Sequence, residues 1–177
     1  MKPSVAHTGA DGERIRYLIT DCSLGRLLIA WTARGGYEVA FADSAEALVP
    51  RLTRHFPKAT LEASGETEWA RPVIDSVEMA ARADIPLDVR GTAFQERVWQ
   101  QLRAIPVGET RTYAEIAEAL GEPRAARAVA RARASNKLAV VVPCHRVVRK
   151  DGTLSGYRWG IERKREILRR EAEVEKP

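Results

Sequence analysis

The chain of 177 residues contains little cysteine and histidine, and it has no long apolar run. Its two cysteines, Cys22 and Cys144, are too few for a disulfide framework and are typical of a reducing compartment. No run approaches the roughly 20 apolar residues that a membrane span needs. The N-terminal 14 residues lack the apolar core of a signal peptide. We therefore expect a globular protein with a cytoplasmic location.

Acidic residues are absent between Glu122 and Asp151, a stretch that is rich in arginine. Residues 1–90 carry 11 Lys/Arg against 13 Asp/Glu, whereas residues 91–177 carry 18 against 11. A one-sided basic block favours a polyanionic partner, most often nucleic acid. Charge alone leaves open a second interpretation, a solvated helix face.

The first half of the chain predicts a small α/β unit. Alternating apolar residues and glycine-bearing turns favour an antiparallel meander. Its predicted strands cover residues 14–22, 25–33 and 37–42. Two helices are predicted to follow over residues 44–56 and 67–83, the first with Ser44 as N-cap and a kink at Pro50.

A domain boundary is predicted near Gly91, because an extended link precedes it and helical patterns follow it. The predicted organisation is a flexible lead-in (1–12), an N-terminal α/β domain with a mainly antiparallel sheet (13–90) and a mostly helical C-terminal domain (91–177).

Two short helices near residues 112–120 and 124–136 form a candidate helix-turn-helix. The first opens with a capping box between Thr112 and Glu115. The second consists almost entirely of alanine and arginine. On this slim, basic helix we expect three arginines on one face and two small residues that permit close approach to a DNA groove: Arg124, Arg127, Arg131, Ala126 and Ala128.

The sequence VVVPCHRVVRK, residues 140–150, places Cys144 beside His145 after an apolar strand that Pro143 is predicted to end. Metal binding would need more ligands than the scattered cysteines and histidines supply. A cysteine hydrolase would need a more distant histidine and an orienting Asn or Asp. Attack by the thiolate on an electrophile in DNA uses both the thiol and the basic helix. We expect a depressed pKa for the Cys144 thiol, and a water that relays its proton to His145.

The motifs VPCHRVV, RAVARARASNK and SGYRWG together resemble those of the O6-alkylguanine-DNA alkyltransferases, with particular similarity to the C-terminal domain of the Ada proteins. The resemblance covers nearly the whole chain after the lead-in. It implies a ribonuclease H-like N-terminal domain and a C-terminal domain that accepts the alkyl group.

The family resemblance assigns the catalytic roles. Cys144 would accept the alkyl group, and His145 would act as its base through a water. Glu171 would orient His145, and Tyr113 would help to rotate the target phosphate and donate a proton toward the departing guanine.

The same resemblance assigns roles in the pocket and on DNA. Asn136 would be the hinge between the recognition helix and the active-site segment. Arg127 would fill the gap that the flipped nucleotide leaves. The Ser155 backbone N–H would contact the guanine oxygen, the Val147 carbonyl would receive the exocyclic amine, and Lys164 would support the tyrosine.

The resemblance implies a monomeric DNA-repair enzyme that acts once, on O6-alkylguanine and O4-alkylthymine in double-stranded DNA, through the minor groove. Cys22 lacks the partners of the zinc site found in some relatives, so we expect no structural metal and no cofactor. A DNA-binding regulatory module with a redox-sensing cysteine is the alternative from another functional class.

Overall fold

A computed structural model describes residues 12–65 and 68–174. Most of the predicted lead-in, residues 1–11, and the predicted start of the second helix, Thr67, lie outside the described residues. The sheet has the order β3-β2-β1-β4. Its strands are β1 (Arg14–Cys22), β2 (Gly25–Thr32), β3 (Gly35–Ala42) and β4 (Thr60–Ala63).

The predicted antiparallel meander is confirmed. β1 pairs antiparallel with β2, and β2 pairs antiparallel with β3. The short strand β4 was not predicted and lies parallel to β1, with Arg14 opposite Thr60. β4 carries one partly buried residue, Leu61, so the apolar alternation that reveals a buried strand is missing.

Two helices cover the sheet, α1 (Leu48–His55) and α2 (Ala70–Met79). Leu52 and Val73 join the core beneath them. The segment predicted as one helix divides into a 3₁₀ turn over Ala45–Ala47 and α1, and Pro50 lies in the first turn of α1, where its missing N–H costs no hydrogen bond. Ser44 precedes a short 3₁₀ turn over Ala45–Ala47, and its side chain makes no capping hydrogen bond.

The remaining helices belong to the second half of the chain. They are α3 (Ala93–Arg103), α4 (Tyr113–Ala119), α5 (Ala126–Ala134) and α6 (Ile161–Val174). A parallel pair of two-residue strands, β5 (Arg111–Thr112) and β6 (Val147–Val148), joins the start of α4 to the segment after Cys144. The predicted capping box of α4 is confirmed, since Thr112 accepts from Glu115 N while Glu115 accepts from Thr112 N. The predicted pair of consecutive helices is present, and its use on DNA stays a prediction.

Two arginines of helix α6 form hydrogen bonds with the N-terminal half of the chain, which contains the four-stranded sheet. Arg163 Nε donates to Leu24 O at 2.7 Å, and Arg170 Nη1 donates to Val77 O at 2.8 Å. These contacts fix α6, which carries Lys164 and Glu171, relative to the rest of the core. No helix within residues 12–65 and 68–174 has the length and apolar character that crossing a membrane requires.

Candidate active site

The segment before the cysteine is shaped by Asn136, a buried residue just beyond the end of α5. Asn136 Oδ1 accepts from Leu138 N at 2.9 Å, and its Nδ2 donates to Val142 O at 2.9 Å and to Leu138 O at 3.3 Å. The predicted apolar strand before Pro143 is wrong. Residues 138–142 form a buried turn in which Val140 has a φ of 60°, and the side chain of Asn136 supplies the hydrogen bonds that a sheet neighbour would otherwise make.

The outer edge of β3 supports this turn from the other half of the chain. Val39 N donates to Lys137 O at 2.9 Å, and Ala139 N donates to Val39 O at 3.0 Å. One residue of the sheet therefore binds both sides of Leu138 and fixes the turn that leads to the cysteine.

Cys144 begins a 3₁₀ turn, Cys144–Arg146, and is 2% exposed. The expected depressed pKa is wrong, because burial raises the pKa of the Cys144 thiol above its ordinary value. The nearby Asn136 amide and the charges of Arg133 and Lys164 lower the pKa of the thiol without overcoming the effect of burial. The resting residue is therefore a buried, protonated thiol.

His145 is fully buried and lies within hydrogen-bond distance of Glu171, with 2.7 Å between Nε2 and Oε1. Burial lowers the pKa of His145, and Glu171 opposes that shift only in part, so the ring is neutral near pH 7. A carboxylate can only accept, so Nε2 carries the hydrogen and Nδ1 holds the lone pair. Nδ1 is buried and has no partner among the described residues.

Glu171 is also held by Arg146, a residue to which the sequence analysis gave no role. Arg146 Nε and Nη2 donate to the carboxylate at 2.9 and 2.8 Å, and Nη1 donates to Ile105 O at 2.7 Å. Burial alone would raise the pKa of Glu171, but the hydrogen bonds from His145 and Arg146 outweigh it and lower the pKa to about 2. The orienting carboxylate is therefore ionised.

A second hydrogen-bonded group connects α4, α6 and the segment that follows β6. The hydroxyls of Tyr113 and Ser155 are hydrogen-bonded to each other. Lys164 Nζ donates to Val147 O at 2.7 Å and reaches Ser155 O at 3.4 Å and Ser155 Oγ at 3.5 Å. Burial lowers the pKa of Lys164 to about 8, and the charges of nearby arginines add to the shift. The three predicted pocket residues, Val147, Ser155 and Lys164, thus form one connected group with Tyr113.

The predicted DNA-facing residues lie on α5 or just before its first residue. Arg127 and Arg131 lie one helical turn apart and are exposed, whereas Ala126 and Ala128 are partly buried. Arg124 is exposed but precedes α5, so the predicted helical face of three arginines is corrected to two.

Arg133 was missed by the sequence analysis, although it lies on the same helix. Its Nη1 donates to Gly156 O at 2.9 Å, and its guanidinium carbon lies 5.7 Å from the centre of the Tyr113 ring. Arg133 follows Arg127 by six positions, which puts it on another face of α5. That six-residue spacing is the sequence signal that could have separated Arg133 from the predicted DNA-facing arginines.

Metal coordination has no support in the described part of the chain, where no group of three or more His, Cys, Asp or Glu side chains could hold an ion.

Comparisons with known proteins show which family of chains this one resembles. Residues 93–173 match the family model of the 6-O-methylguanine DNA methyltransferase, DNA binding domain. The bifunctional transcriptional activator/DNA repair enzyme Ada of Escherichia coli is 48% identical over 171 residues, which cover 94% of this chain and 48% of that protein. The chain spans about half the length of the curated relatives it matches.

Solved structures of similar proteins match this chain over a larger share of their own length. The crystal structure of Mycobacterium tuberculosis O6-methylguanine methyltransferase has a TM-score of 0.76 and 36% identity, and the match covers 92% of this chain and 95% of that one. The M. tuberculosis OGT structure in complex with DNA has a TM-score of 0.74 and 36% identity, covering 89% and 93%. With this identity over nearly a whole relative, the chain belongs to the O6-methylguanine-DNA methyltransferase family.

Proposed function

We propose that the protein repairs DNA by moving the alkyl group of O6-alkylguanine irreversibly onto its own Cys144. The observation that carries the proposal is the buried series Cys144, His145 and Glu171, in which the free His145 Nδ1 is the one ring nitrogen able to take a proton. Family membership and the solved DNA complex of a relative support DNA as the partner.

The proton leaves the thiol through His145. Because burial raises the pKa of Cys144, the thiolate would form during the reaction rather than before it. A water between Sγ and Nδ1 would carry the proton to the imidazole, and Glu171 would stabilise the imidazolium. A buried ring nitrogen without a protein partner supports this relay.

The alkyl group then moves in one displacement. The thiolate forms a bond to the sp3 alkyl carbon, the bond between that carbon and guanine O6 breaks, and the electron pair leaves with the guanine. Tyr113 donates a proton toward the departing base and recovers one through Ser155 and Lys164. The hydrogen bonds that join these three residues support that route.

The flipped base would occupy the pocket beside Val147 and Ser155. The Ser155 backbone N–H has no acceptor among the described residues, so it is free to contact the guanine oxygen. The Val147 carbonyl already accepts from Lys164 and retains a second lone pair for the exocyclic amine. The family resemblance extends the proposal to O4-alkylthymine.

DNA would bind in the minor groove against α5, with the protein as a monomer. Arg127 would insert where the nucleotide leaves, and Arg124 and Arg131 would hold phosphates without reading sequence. The small side chains of Ala126 and Ala128 would let the helix approach closely, and Asn136 would connect it to the active-site turn. A cytoplasmic location stays a prediction.

Turnover is expected to stop after one event. The product is a thioether whose carbon is saturated and whose leaving group is poor, unlike a thioester that water can hydrolyse. None of the side chains in the site could regenerate the thiol.

The test mixes excess duplex containing O6-methylguanine with a known amount of protein. We expect repaired guanines to stop at or below one per protein, with the mass of one methyl group added to Cys144. A steady rise past one per protein would refute the mechanism. Cys144→Ser should bind the duplex and repair nothing, and a duplex with O4-methylthymine tests the second substrate.

A second assay separates the role proposed for Arg127 from an ordinary phosphate contact. Arg127→Ala should slow transfer far more than it weakens binding to undamaged duplex, whereas a phosphate contact would weaken all binding alike. Arg165→Gln, which removes an exposed charge from α6, is the matched control.

The redox-sensor alternative has less support. Sensor cysteines are accessible and have a low pKa, but Cys144 is buried and has a raised pKa. Oxidation-dependent DNA affinity without methyl transfer would favour it.

A further inference from the structure

Four buried side-chain polar atoms have no hydrogen-bond partner in the described part of the chain: Arg133 Nε, His145 Nδ1, Tyr157 Oη and Trp159 Nε1. Orphaned buried groups are rare in proteins, and each calls for an explanation. His145 adjoins Cys144, and Arg133 and Tyr157 both interact electrostatically with it. Three of the four orphaned atoms therefore belong to the surroundings of the thiol.

Arg133 is held in a defined position. Its Nη1 donates to Gly156 O at 2.9 Å, and its guanidinium lies over the Tyr113 ring. These two contacts join α5 to α4 and to the segment that contains Ser155 and Tyr157. The Nε–H bond is left buried without an acceptor.

No carboxylate among residues 12–65 and 68–174 forms an ion pair with Arg133. The ionised carboxylate of the site, Glu171, already accepts hydrogen bonds from His145 and Arg146. Arg133 is only partly buried, but its Nε–H faces the interior without an acceptor, and an unsatisfied buried donor is costly unless an acceptor appears beside it. The mechanism supplies one such acceptor, the negatively charged Cys144 Sγ.

We propose that Arg133 is the counter-charge that stabilises the Cys144 thiolate during alkyl transfer, an inference that rests on the proposed function. While Cys144 is a thiol, the guanidinium has no anionic partner among the described residues, and its Nε–H has no acceptor. When the thiol proton passes to His145, a negative charge forms on the buried Sγ, and the positioned cation stabilises it without reorganisation. The charge disappears when the carbon–sulfur bond forms.

Several other charged or titratable groups face Cys144 and must be considered with Arg133. They are Lys164 and, through His145, Glu171 on α6, and Tyr157 and Arg158 in the segment before it. Lys164 has its hydrogen bonds committed to Val147 and Ser155, which leaves Arg133 as the cation with an unused buried donor.

The test uses two substitutions that separate charge from hydrogen bonding. Arg133→Gln removes the charge and keeps an amide donor, and Arg133→Lys keeps the charge. The thiolate is titrated directly by its ultraviolet absorbance, with Cys144→Ser as the baseline, and the single-turnover rate on O6-methylguanine duplex is measured across pH. Arg165→Gln is the control for loss of a distant charge.

We expect Arg133→Gln to raise the apparent pKa of Cys144 by about one unit and to slow transfer near neutral pH about tenfold, with the rate recovering at high pH. Arg133→Lys should titrate close to the parent protein. Unchanged titration in the Gln variant would overturn the proposal, and so would equal shifts in both variants or a loss of rate that is the same at every pH.

The absorbance titration needs no DNA, so it separates failure of the role proposed for Arg133 from failure of the proposed function. If the parent protein transferred no methyl group but the titration shifted as expected, the proposed function would fail and the charge pairing would stand. If the Gln variant did not fold, a one-unit shift in Arg133→Lys would still contradict the proposal.

Discussion

Replacing Asn136 by alanine tests how much the active-site turn depends on one side chain. The substitution removes the acceptor for Leu138 N–H and the donor for Val142 C=O, and both residues are almost fully buried. A buried polar group left without a partner costs about 1–3 kcal/mol. Two such groups give an expected loss of about 3 kcal/mol, which corresponds to a fall in Tm of about 9 °C for a chain of this size.

Urea unfolding of the two proteins measures the difference in the free energy of unfolding. Ser135→Ala is the neighbouring control, because Ser135 is only partly buried and its hydroxyl donates to Ala132 O near a helix end. We expect it to cost less than about 1 kcal/mol. If Asn136→Ala cost no more than Ser135→Ala, the turn would not depend on these hydrogen bonds, and the hinge role would be refuted. Asn136→Asp should keep the bond from Leu138 N–H and lose the one to Val142.

Three further outcomes are expected. Thr112→Ala removes the capping acceptor of α4 and should lower the free energy of unfolding by about 1 kcal/mol, and an unchanged urea midpoint would contradict the capping geometry. Gly35→Ala should cost about 2 kcal/mol or more in the same assay, because an added Cβ would lie 2.5 Å from Pro86 O at a φ of +150°. A thiol reagent near pH 7 should label Cys22 before Cys144, because the pKa of both thiols is raised and Cys144 is the more deeply buried. Cys22→Ser should remove the fast phase of labelling. Faster labelling of Cys144 would show that its burial is not maintained in solution.

The parts of the fold that were predicted correctly are those whose cause is local. The meander follows from alternation and glycine turns, and the start of α4 follows from the reciprocal hydrogen bonds of Thr112 and Glu115. The active-site motif was found because a cysteine beside a histidine has no packing explanation. The pairing of His145 with Glu171 depended on family resemblance, since 26 residues separate them.

The parts that were missed depend on tertiary contacts. The apolar run at residues 138–142 has the composition of a strand, but Asn136 and Val39 together satisfy its backbone as a turn. The raised pKa of Cys144 reflects burial, which the basic residues nearby in sequence do not reveal. Arg133 was given no role from the sequence, and its part in the site depends on the tertiary contact of its Nη1 with Gly156 O.

The placement of the active-site turn on β3 also affects how the sheet meets other molecules. An unpaired strand edge can template pairing with another chain, and proteins commonly cover or shorten such edges. Here the bridges from Gly36 to Leu87 and from Val39 to Leu138 occupy the outer edge of β3. The opposite edge is β4, only four residues long and carrying Glu62 in an ion pair with Arg14. The contacts that hold the cysteine in place thus also protect the sheet from edge-to-edge aggregation.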